Sequence, residues 1–158
     1  MGKQSQYDHS LRVPLVMAGP GIPENERREQ LVYLHDLFPT LCELTGTAVP
    51  DSVESRSFAP AVHDWAAPGR EELLFAYRGC QRAVRAGAFK LIEYVVKGRR
   101  RTQLFNVRSD PWELNNLVGD PDCADTVADL RDRLRKWQSD YEDPHTNFWT
   151  GFDGKVGS

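Results

Sequence analysis

Several signatures that assign a protein to a functional class are missing from this 158-residue sequence. Its three cysteines are far apart, form no CxxC pair and are odd in number, which argues against a zinc ribbon or a dithiol redox site. The four histidines show neither HxH nor HExxH spacing, and there is no GxSxG turn or glycine-rich phosphate loop. The sequence therefore encodes no local metal, nucleophile-elbow or phosphate site.

A strong charge of one sign and a long apolar run are also missing. The formal net charge is −3, so no global basic field argues for nucleic acid. The one basic run, at residues 97–101, is interpreted as a solvated hairpin turn, and contact with an anionic polymer is the alternative. No apolar stretch approaches the ~20 residues that span a bilayer, so no membrane partner is expected. What remains is an ordinary globular composition, with 40% hydrophobic and 27% charged residues.

The first half of the chain carries two predicted elements. Residues 11–18 (LRVPLVMA) are apolar on both faces and predict an interior strand, although Pro14 favours an edge or a bulge there. Such a strand needs neighbours, and we expect them upstream. Residues 37–44 predict a helix that has Asp36 as its N-cap and Gly46 as its stop. The side chains that this helix is expected to bury are Phe38, Leu41 and Cys42.

From Glu72 onward the pattern becomes that of an antiparallel sheet. Short apolar segments at regular spacing, separated by glycine-containing turns, predict a four-stranded meander over 73–78, 82–86, 89–96 and 103–107. In the third segment the alternation leaves neither face cleanly polar. Residues 124–141 predict an amphipathic helix that packs on this sheet, which gives an α+β fold. The apolar stripe of the helix comprises Val127, Leu130, Leu134, Trp137 and Tyr141.

Short motifs in a fixed order give the sequence a family resemblance. Residues 2–15, GKQSQYDHSLRVPL, resemble the sulfatase pattern GKxxxYEHSxRVPL, and the turn GPGIP follows at 19–23. LFPTL at 37–41 comes next, with a glycine five residues later. The sequence is thus similar to the sulfatase family of the alkaline-phosphatase-like superfamily.

Two further blocks extend this resemblance to about Trp137, nearly the whole chain. Residues 84–92, VRAGAFKLI, resemble the family's iRxGxyKLI. Residues 104–117, LFNVRSDPWELNNL, resemble its LFDlxxDPxExxNL, and Asn106 stands where the family usually has Asp. That departure loses a charge at a turn, and we expect no loss of chemistry from it.

The resemblance implies a domain organisation. Residues 1–70 would be the C-terminal end of a large sulfatase α/β catalytic domain. Residues 71–143 would be a small C-terminal subdomain of an antiparallel sheet and a helix, and residues 144–158 a tail. The chain is accordingly expected to be the C-terminal part of a sulfatase, from the substrate-lysine loop onward.

The resemblance also implies chemistry that this sequence lacks. Sulfatases use a formylglycine, made from Cys or Ser in a C/S-x-P-x-R motif, beside a calcium ion held by Asp and Asn residues. None of the cysteines fits that motif, and Ser109-Asp-Pro-Trp-Glu113 has the proline but no arginine. In the family these elements lie upstream of GKxxxYE. The formylglycine and the Ca²⁺ ligands are therefore expected outside this chain, and the chain alone is expected to be inactive.

Lys3 is the residue to which the resemblance gives a catalytic and substrate-binding role. The family has at this position a lysine that contacts the sulfate group of the substrate. A fixed ammonium stabilises the negative charge that sulfuryl transfer moves onto oxygen. The alternative is an ordinary surface lysine near a terminus. Asp8 and His9 are interpreted as braces of the loop rather than as reacting groups.

The resulting prediction is a hydrolase of sulfate esters, with a sulfated small molecule or sugar as its substrate. A phosphonate or phosphodiester hydrolase of the same superfamily is one alternative. A non-catalytic module that binds a partner through its exposed apolar first strand is another. That strand could also pair with a second copy of the chain, because exposed edges promote association. Nucleic acid is not expected as a partner.

Overall fold

Four consecutive strands form one sheet in the computed structural model, which describes residues 4–97 and 99–149. The strands are β1 (Glu72–Tyr77), β2 (Gln81–Ala86), β3 (Phe89–Val96) and β4 (Arg99–Asn106). Each strand lies beside its neighbour in sequence, and β3 is antiparallel to both β2 and β4. The predicted meander is confirmed.

The basic run does not form a turn throughout, as the sequence had suggested. Lys97 lies in the turn after β3, but Arg99, Arg100 and Arg101 belong to β4, which begins earlier than predicted. β4 is an edge strand of the sheet. Charged side chains on an edge strand disfavour pairing with another chain, which explains why arginines are tolerated in this strand.

The helices of the described residues are short, except for the last. They are α1 (Asp8–Leu11), α2 (Leu37–Leu44), α3 (Ala59–His63) and α4 (Ala124–Asp140). Single 3-10 turns lie at Leu34–Asp36, Pro121–Cys123 and Thr146–Trp149. The chain divides into two compact units, one from Pro14 to Leu73 and the other from the described residues before and after that range. Each unit is described on its own.

Both faces of the sheet are covered, and this explains the mixed alternation of β3. On one face Val84, Leu91 and Leu104 pack against α4. On the other face, which we call the loop face, Ile92 and Phe105 pack with the half-buried ring of Tyr7. A strand that is buried on both sides has no polar side to display.

The apolar stripe of α4 is confirmed in its first half and wrong in its second. Val127, Leu130 and Leu134 are buried against the sheet. Trp137 is only half-buried, and Tyr141 is 72% exposed just after the last helical residue. Gln138 is buried instead, because its Nε2 donates a hydrogen bond to the carbonyl oxygen of His145, 2.7 Å away.

The segment after α4 turns back onto the sheet. Arg82 of β2 donates two hydrogen bonds, of 2.6 and 2.8 Å, to the carboxylate of Asp143, and both side chains are almost fully buried. The guanidinium of Arg82 lies 5.2 Å from the ring centre of Phe148. Phe148 and Trp149 then join the core on the α4 side. A buried ion pair therefore fixes the path of the chain beyond α4.

In the unit from Pro14 to Leu73, α2 has the predicted bounds but buries a different face. Thr40 is fully buried, because its hydroxyl donates to the carbonyl oxygen of Asp36 and accepts from the N–H of Phe58. Phe38 and Leu41, predicted to be buried, are 53% and 47% exposed. Cys42 is half-buried. The polar anchor at Thr40, rather than the apolar stripe, decides which face is inside.

Asp36 occupies the predicted N-cap position of α2, but its side chain makes no cap hydrogen bond to that helix and is the centre of a hydrogen-bond network. Its carboxylate accepts two hydrogen bonds from Arg70, of 2.6 and 2.9 Å, and one each from the N–H groups of Tyr33 and Arg56. Burial alone would raise the pKa of Asp36, but these donors lower it overall. Asp36 therefore links segments on either side of α2. The stop at Gly46 is confirmed, since its φ of +69° suits glycine.

The predicted interior strand at residues 11–18 is wrong for the described chain. α1 ends at Leu11, no strand is assigned over these residues, and Val13, Leu15 and Val16 are exposed. A strand needs a hydrogen-bonded neighbour, and none of the described strands pairs with this segment. Pro14 also lacks the N–H that a ladder would use.

Candidate functional site

The loop of residues 4–12, which contains the short helix α1, is the candidate functional site. Lys3, the predicted catalytic and substrate-binding residue, lies outside the described residues, and the description begins at Gln4. The carbonyl oxygen of Gln4 accepts a hydrogen bond of 3.0 Å from Nε2 of Gln81 on β2. The residue next to Lys3 is thus already tied to the loop face of the sheet.

Tyr7 attaches the same loop to β4. Its hydroxyl donates a hydrogen bond of 2.8 Å to Oε1 of Gln103. Its ring lies 5.8 Å from that of Phe105, between ring centres, and packs on the apolar part of the loop face. Gln103 and Phe105 are two residues apart on β4 and therefore point to the same side of the sheet. Tyr7 therefore contacts Gln103 through its hydroxyl and Phe105 through its ring.

Charges bind the loop at Asp8. One carboxylate oxygen of Asp8 lies 2.7 Å from Nζ of Lys90, which is fully buried on β3. Glu113 contacts the same ammonium, and its carboxylate also accepts a hydrogen bond of 2.6 Å from the N–H of Asp8. Arg85 lies 3.8 Å from the second carboxylate oxygen of Asp8. Two cations thus face two carboxylates, so no unpaired charge is buried.

A turn with left-handed backbone conformation directs Glu113 into this cluster. The φ of Glu113 is +55°, in the region that non-glycine residues rarely adopt. Asp110 supports the turn, because its carboxylate accepts hydrogen bonds of 2.8 Å from the N–H groups of Leu114 and Asn115. The N–H of Glu113 donates to the carbonyl oxygen of Asp110. The DPxE motif therefore encodes a turn that points a carboxylate at the sheet.

Three motifs that are far apart in sequence meet in this cluster. Asp8 lies in YDHS, Lys90 in FKLI and Glu113 in DPWE, and Asp8 is separated from the other two by 82 and 105 residues. Sequence reasoning named all three motifs but missed the roles of Lys90 and Glu113. The signal that could have revealed them was a lysine inside an otherwise apolar strand, since a buried lysine requires an acidic partner.

Asn106, the departure from the family pattern, keeps its place in a turn. Its side-chain oxygen accepts hydrogen bonds of 3.2 Å from the N–H groups of Arg108 and Ser109. An amide oxygen accepts such bonds as an aspartate would. The missing charge therefore leaves the turn intact.

The remaining polar side chains of the loop contact one another. His9 is exposed, its ring stacks on that of Tyr7 with 5.7 Å between ring centres, and its Nε2 lies 3.4 Å from the hydroxyl of Ser5. The hydroxyls of Ser5 and Ser10 are 2.9 Å apart. These contacts agree with the interpretation of Asp8 and His9 as braces of the loop.

Two further features of the described residues bear on chemistry, the thiol of Cys123 and the arrangement of possible metal ligands. Burial raises the pKa of the Cys123 thiol, and the carboxylates of Asp120 and Asp122 raise it further, which disfavours the reactive thiolate. Within residues 4–97 and 99–149, no three His, Cys, Asp or Glu side chains are arranged to hold a metal ion. No carboxylate cluster of the kind that would hold calcium is therefore present among these residues. None of the helices in this part of the chain is long and apolar enough to cross a membrane.

Comparison with known sequences identifies relatives over most of the chain. A family model described as N-sulphoglucosamine sulphohydrolase, C-terminal, matches residues 1–140. Mouse arylsulfatase K is 31% identical over 130 residues, which are 73% of this chain and 23% of that protein. A Delta 4,5-hexuronate-2-O-sulfatase of Bacteroides thetaiotaomicron is 29% identical over 152 residues, 87% of this chain and 31% of that protein. The chain therefore spans about a quarter to a third of the length of these two relatives.

Solved structures share the fold. A protein of Bacteroides thetaiotaomicron assigned as a sulfatase superposes with a TM-score of 0.73 and 29% identity, over 88% of this chain and 32% of that chain. A phosphonate monoester hydrolase from Silicibacter pomeroyi gives a TM-score of 0.69 over 88% of this chain and 31% of that chain. Its identity is 21%, so this second likeness concerns the fold alone.

Proposed function

Because the chain belongs to the family described as N-sulphoglucosamine sulphohydrolase, C-terminal, we propose that it is the C-terminal part of a hydrolase that cleaves sulfate esters. The observation that carries this proposal is the loop that follows Lys3. Three of the family's motifs converge on Asp8 and fix that loop to the sheet. A scaffold of this kind suits a residue that must be held at a defined position.

Lys3 is proposed to contact the sulfate group in the complete enzyme. Sulfuryl transfer builds negative charge on the non-bridging and leaving oxygens, and a fixed ammonium in a pocket of low dielectric constant stabilises that charge. The support comes from its neighbour, because Gln4 is bound to β2 through Gln81. If the loop were not attached to the sheet, the ammonium of Lys3 would move freely. Fixing it beside the sulfate group would then cost entropy.

The bond-forming chemistry is proposed to come from outside this chain. Sulfatases use a formylglycine nucleophile and a calcium ion, and the described residues fit neither. We assign both groups to the remainder of the enzyme and expect the chain alone to be inactive. The contribution of this chain is a positioned charge.

The substrate is proposed to be a sulfated small molecule, with a sulfated sugar as the favoured class. The support is a relative at 29% identity that is described as a hexuronate-2-O-sulfatase. A phosphonate or phosphodiester hydrolase is the second candidate, favoured by the fold it shares with a phosphonate monoester hydrolase. The sulfatase proposal has the stronger support, since the relatives with higher identity are sulfatases.

The domain organisation is also kept as a proposal. Residues 1–70 would complete the catalytic α/β domain, residues 71–143 would form the sheet and helix subdomain, and residues 144–158 a tail. Apolar side chains support this proposal, because Val16 is 89% exposed and Phe38 is 53% exposed. A neighbouring part of the complete enzyme would cover these side chains and remove them from water. Association of two copies of the chain is the competing use of the same surface.

Kinetics of the complete enzyme test the proposed function. Lys3→Ala should lower kcat for a sulfate ester by about 10²–10³-fold, the usual effect of removing one donor that stabilises a developing anion. Lys97→Ala removes an exposed lysine of the β3–β4 turn and serves as the matched control. An unchanged kcat/KM in Lys3→Ala, together with a native melting temperature, would make Lys3 an ordinary surface residue.

A further inference from the structure

We infer that Lys90 is a positioning residue for this reaction, which it serves by holding Asp8 and, through the loop, Lys3. The inference rests on the proposed function. Lys90 itself is fully buried beneath the loop, which places its ammonium out of reach of a substrate. Its role follows from three observations on the described residues: which charges surround it, which of them can move, and what else holds the loop.

The first observation is the charge balance around Lys90. Its ammonium contacts the carboxylates of Asp8 and Glu113. The guanidinium of Arg85 forms a longer ion pair with Asp8, at 3.8 Å. While Lys90 is present, its ammonium offsets the negative charge of both buried carboxylates. Removal of the ammonium leaves the two carboxylates facing each other, with the more distant Arg85 to offset part of their repulsion.

The second observation is that the two carboxylates differ in freedom. Glu113 is held from its own side, by the turn in which Asp110 accepts hydrogen bonds from Leu114 and Asn115. Asp8 is the first residue of α1, a helix of only four residues within the loop. When the two carboxylates repel each other, the loop is therefore the part that moves. The loss of Lys90 should displace residues 4–12 and leave the sheet in place.

The third observation is that the other attachments of the loop are weaker. The bond from Gln81 to Gln4 is a single neutral hydrogen bond at an exposed position, and Tyr7 contributes one more to Gln103. Charge-assisted hydrogen bonds are roughly twice as strong as neutral ones. The N–H of Asp8 also donates to the carboxylate of Glu113, but Glu113 lies in a turn outside the strands and is itself paired with Lys90. The contact between Lys90 and Asp8 is therefore the strongest direct link between the loop and a strand of the sheet, and Lys3 lies one residue before the first link.

Amide hydrogen exchange on this chain tests whether Lys90 holds the loop. Ser10 and Leu11 donate to the carbonyl oxygen of Tyr7, and Arg12 donates to that of Asp8, so their amides report on α1. Lys90→Met should accelerate their exchange by about tenfold or more, while the β2–β3 amides keep their protection.

The matched control is Glu93→Gln, which removes an equally buried charge from the same strand on the opposite face. It should leave the loop amides unaffected. Equal effects of the two variants, or an unaffected loop in Lys90→Met, would overturn the inference. If Lys90→Met does not fold, Asp8→Asn replaces it, because this variant keeps Lys90 paired with Glu113.

Kinetics of the complete enzyme test whether the held loop positions Lys3. Asp8→Asn should lower kcat by about 10–100-fold, with a smaller effect on KM, because a misplacement of about 1 Å costs on that order. Asp8→Glu, which introduces the residue of the family pattern, should retain most of the activity. A purely structural role would move the melting temperature without this split between kcat and KM.

The outcomes separate the inference from the proposed function. A normal kcat in Asp8→Asn beside a strong loss in Lys3→Ala overturns the inference alone. A normal kcat in Lys3→Ala overturns the proposed role of Lys3 and the inference with it, whereas a complete enzyme that turns over no sulfate ester overturns the proposed function. A loss in both variants, with rescue by Asp8→Glu, supports both.

Discussion

Lys90 and Glu93 are three residues apart on β3 and bury opposite charges on opposite faces of the sheet. Lys90 binds Asp8 of the loop, and Glu93 accepts hydrogen bonds of 2.8 and 2.7 Å from Arg131 of α4. Each element that covers the sheet is thus held by one charge from the same strand. Such pairs add little net stability, but they fix which element packs on which face of the sheet. An element without the matching charge would leave the strand's ion buried and unpaired.

The pH dependence of stability should have one component that falls as the pH rises. Burial, the largest influence, raises the pKa of Glu93 above its ordinary 4.5, and hydrogen bonds from Thr102 and Arg131 offset this only in part. The stability that Glu93 contributes is therefore fully present at pH values below its ordinary pKa. It is lost as the pH rises through the pKa of the folded state. Glu93→Gln should flatten this decline, as measured by urea unfolding at a series of pH values.

Asp143 should contribute with the opposite sign. Burial alone would raise its pKa, but the hydrogen bonds from Arg82 and from the N–H of His145 lower it below the ordinary 3.8. The stability that it provides is present above that value and is lost as the pH falls through the folded-state pKa. In urea unfolding at a series of pH values, Asp143→Asn should therefore lose less stability at low pH than the parent chain does. An equal loss at low pH in both proteins would contradict the prediction.

Breaking the buried pair of Arg82 and Asp143 should be costly. Arg82→Met leaves the carboxylate of Asp143 without its partner and should lower the free energy of unfolding by about 3–5 kcal/mol. The matched control is Asp129→Ala, which removes the exposed pair with Arg133 and should cost at most about 0.5 kcal/mol. Denaturant titration of both variants measures the difference, and similar costs would mean that burial does not decide the effect.

The packing of α4 makes a further prediction about stability. Leu134 is fully buried against the sheet, so Leu134→Ala should cost about 2–5 kcal/mol. Tyr141 belongs to the predicted stripe but is exposed, so Tyr141→Ala should stay within about 0.5 kcal/mol of the parent chain. Thermal or denaturant unfolding compares the two variants. A large loss of stability in Tyr141→Ala would show that Tyr141 belongs to the buried stripe after all.

The chain alone should not hydrolyse an aryl sulfate above background. A positioned ammonium cannot replace a nucleophile, and the sequence carries no C/S-x-P-x-R motif from which a formylglycine could be made. The measurement is release of the phenol from an aryl sulfate by the purified chain, with Lys3→Ala as the control for contaminating activity. Turnover that Lys3→Ala abolishes would show that this chain has chemistry of its own.

Local patterns predicted much of the fold. The regular spacing of apolar segments and glycines gave the order of the four strands, and the bounds of α2 matched Leu37–Leu44. The buried face of α2 could not be predicted, because the hydroxyl of Thr40 decides it by bonding to Asp36 and Phe58. The strand at 11–18 failed because apolar composition predicts a need for burial and does not supply a partner.

The site was predictable only in its parts. The motifs around Asp8, Lys90 and Glu113 were recognised singly, but their meeting depends on contacts across 82 and 105 residues. No periodicity of the sequence encodes such a distance. The excess of charge in an apolar strand was the one local clue, and it indicates that a partner exists without saying where.

The wide separation of these partners also orders events during synthesis. The sheet is a meander whose strands pair with their sequence neighbours, so it can form as soon as β4 has emerged. The loop emerges before its partners, and Lys90 and Glu113 follow it by 82 and 105 residues. At the usual speed of translation that interval lasts roughly 4–20 s, during which Asp8 has no ammonium to bind. Docking of the loop is therefore a late step, and a ribosome that stalls before DPWE leaves the loop without its second anchor.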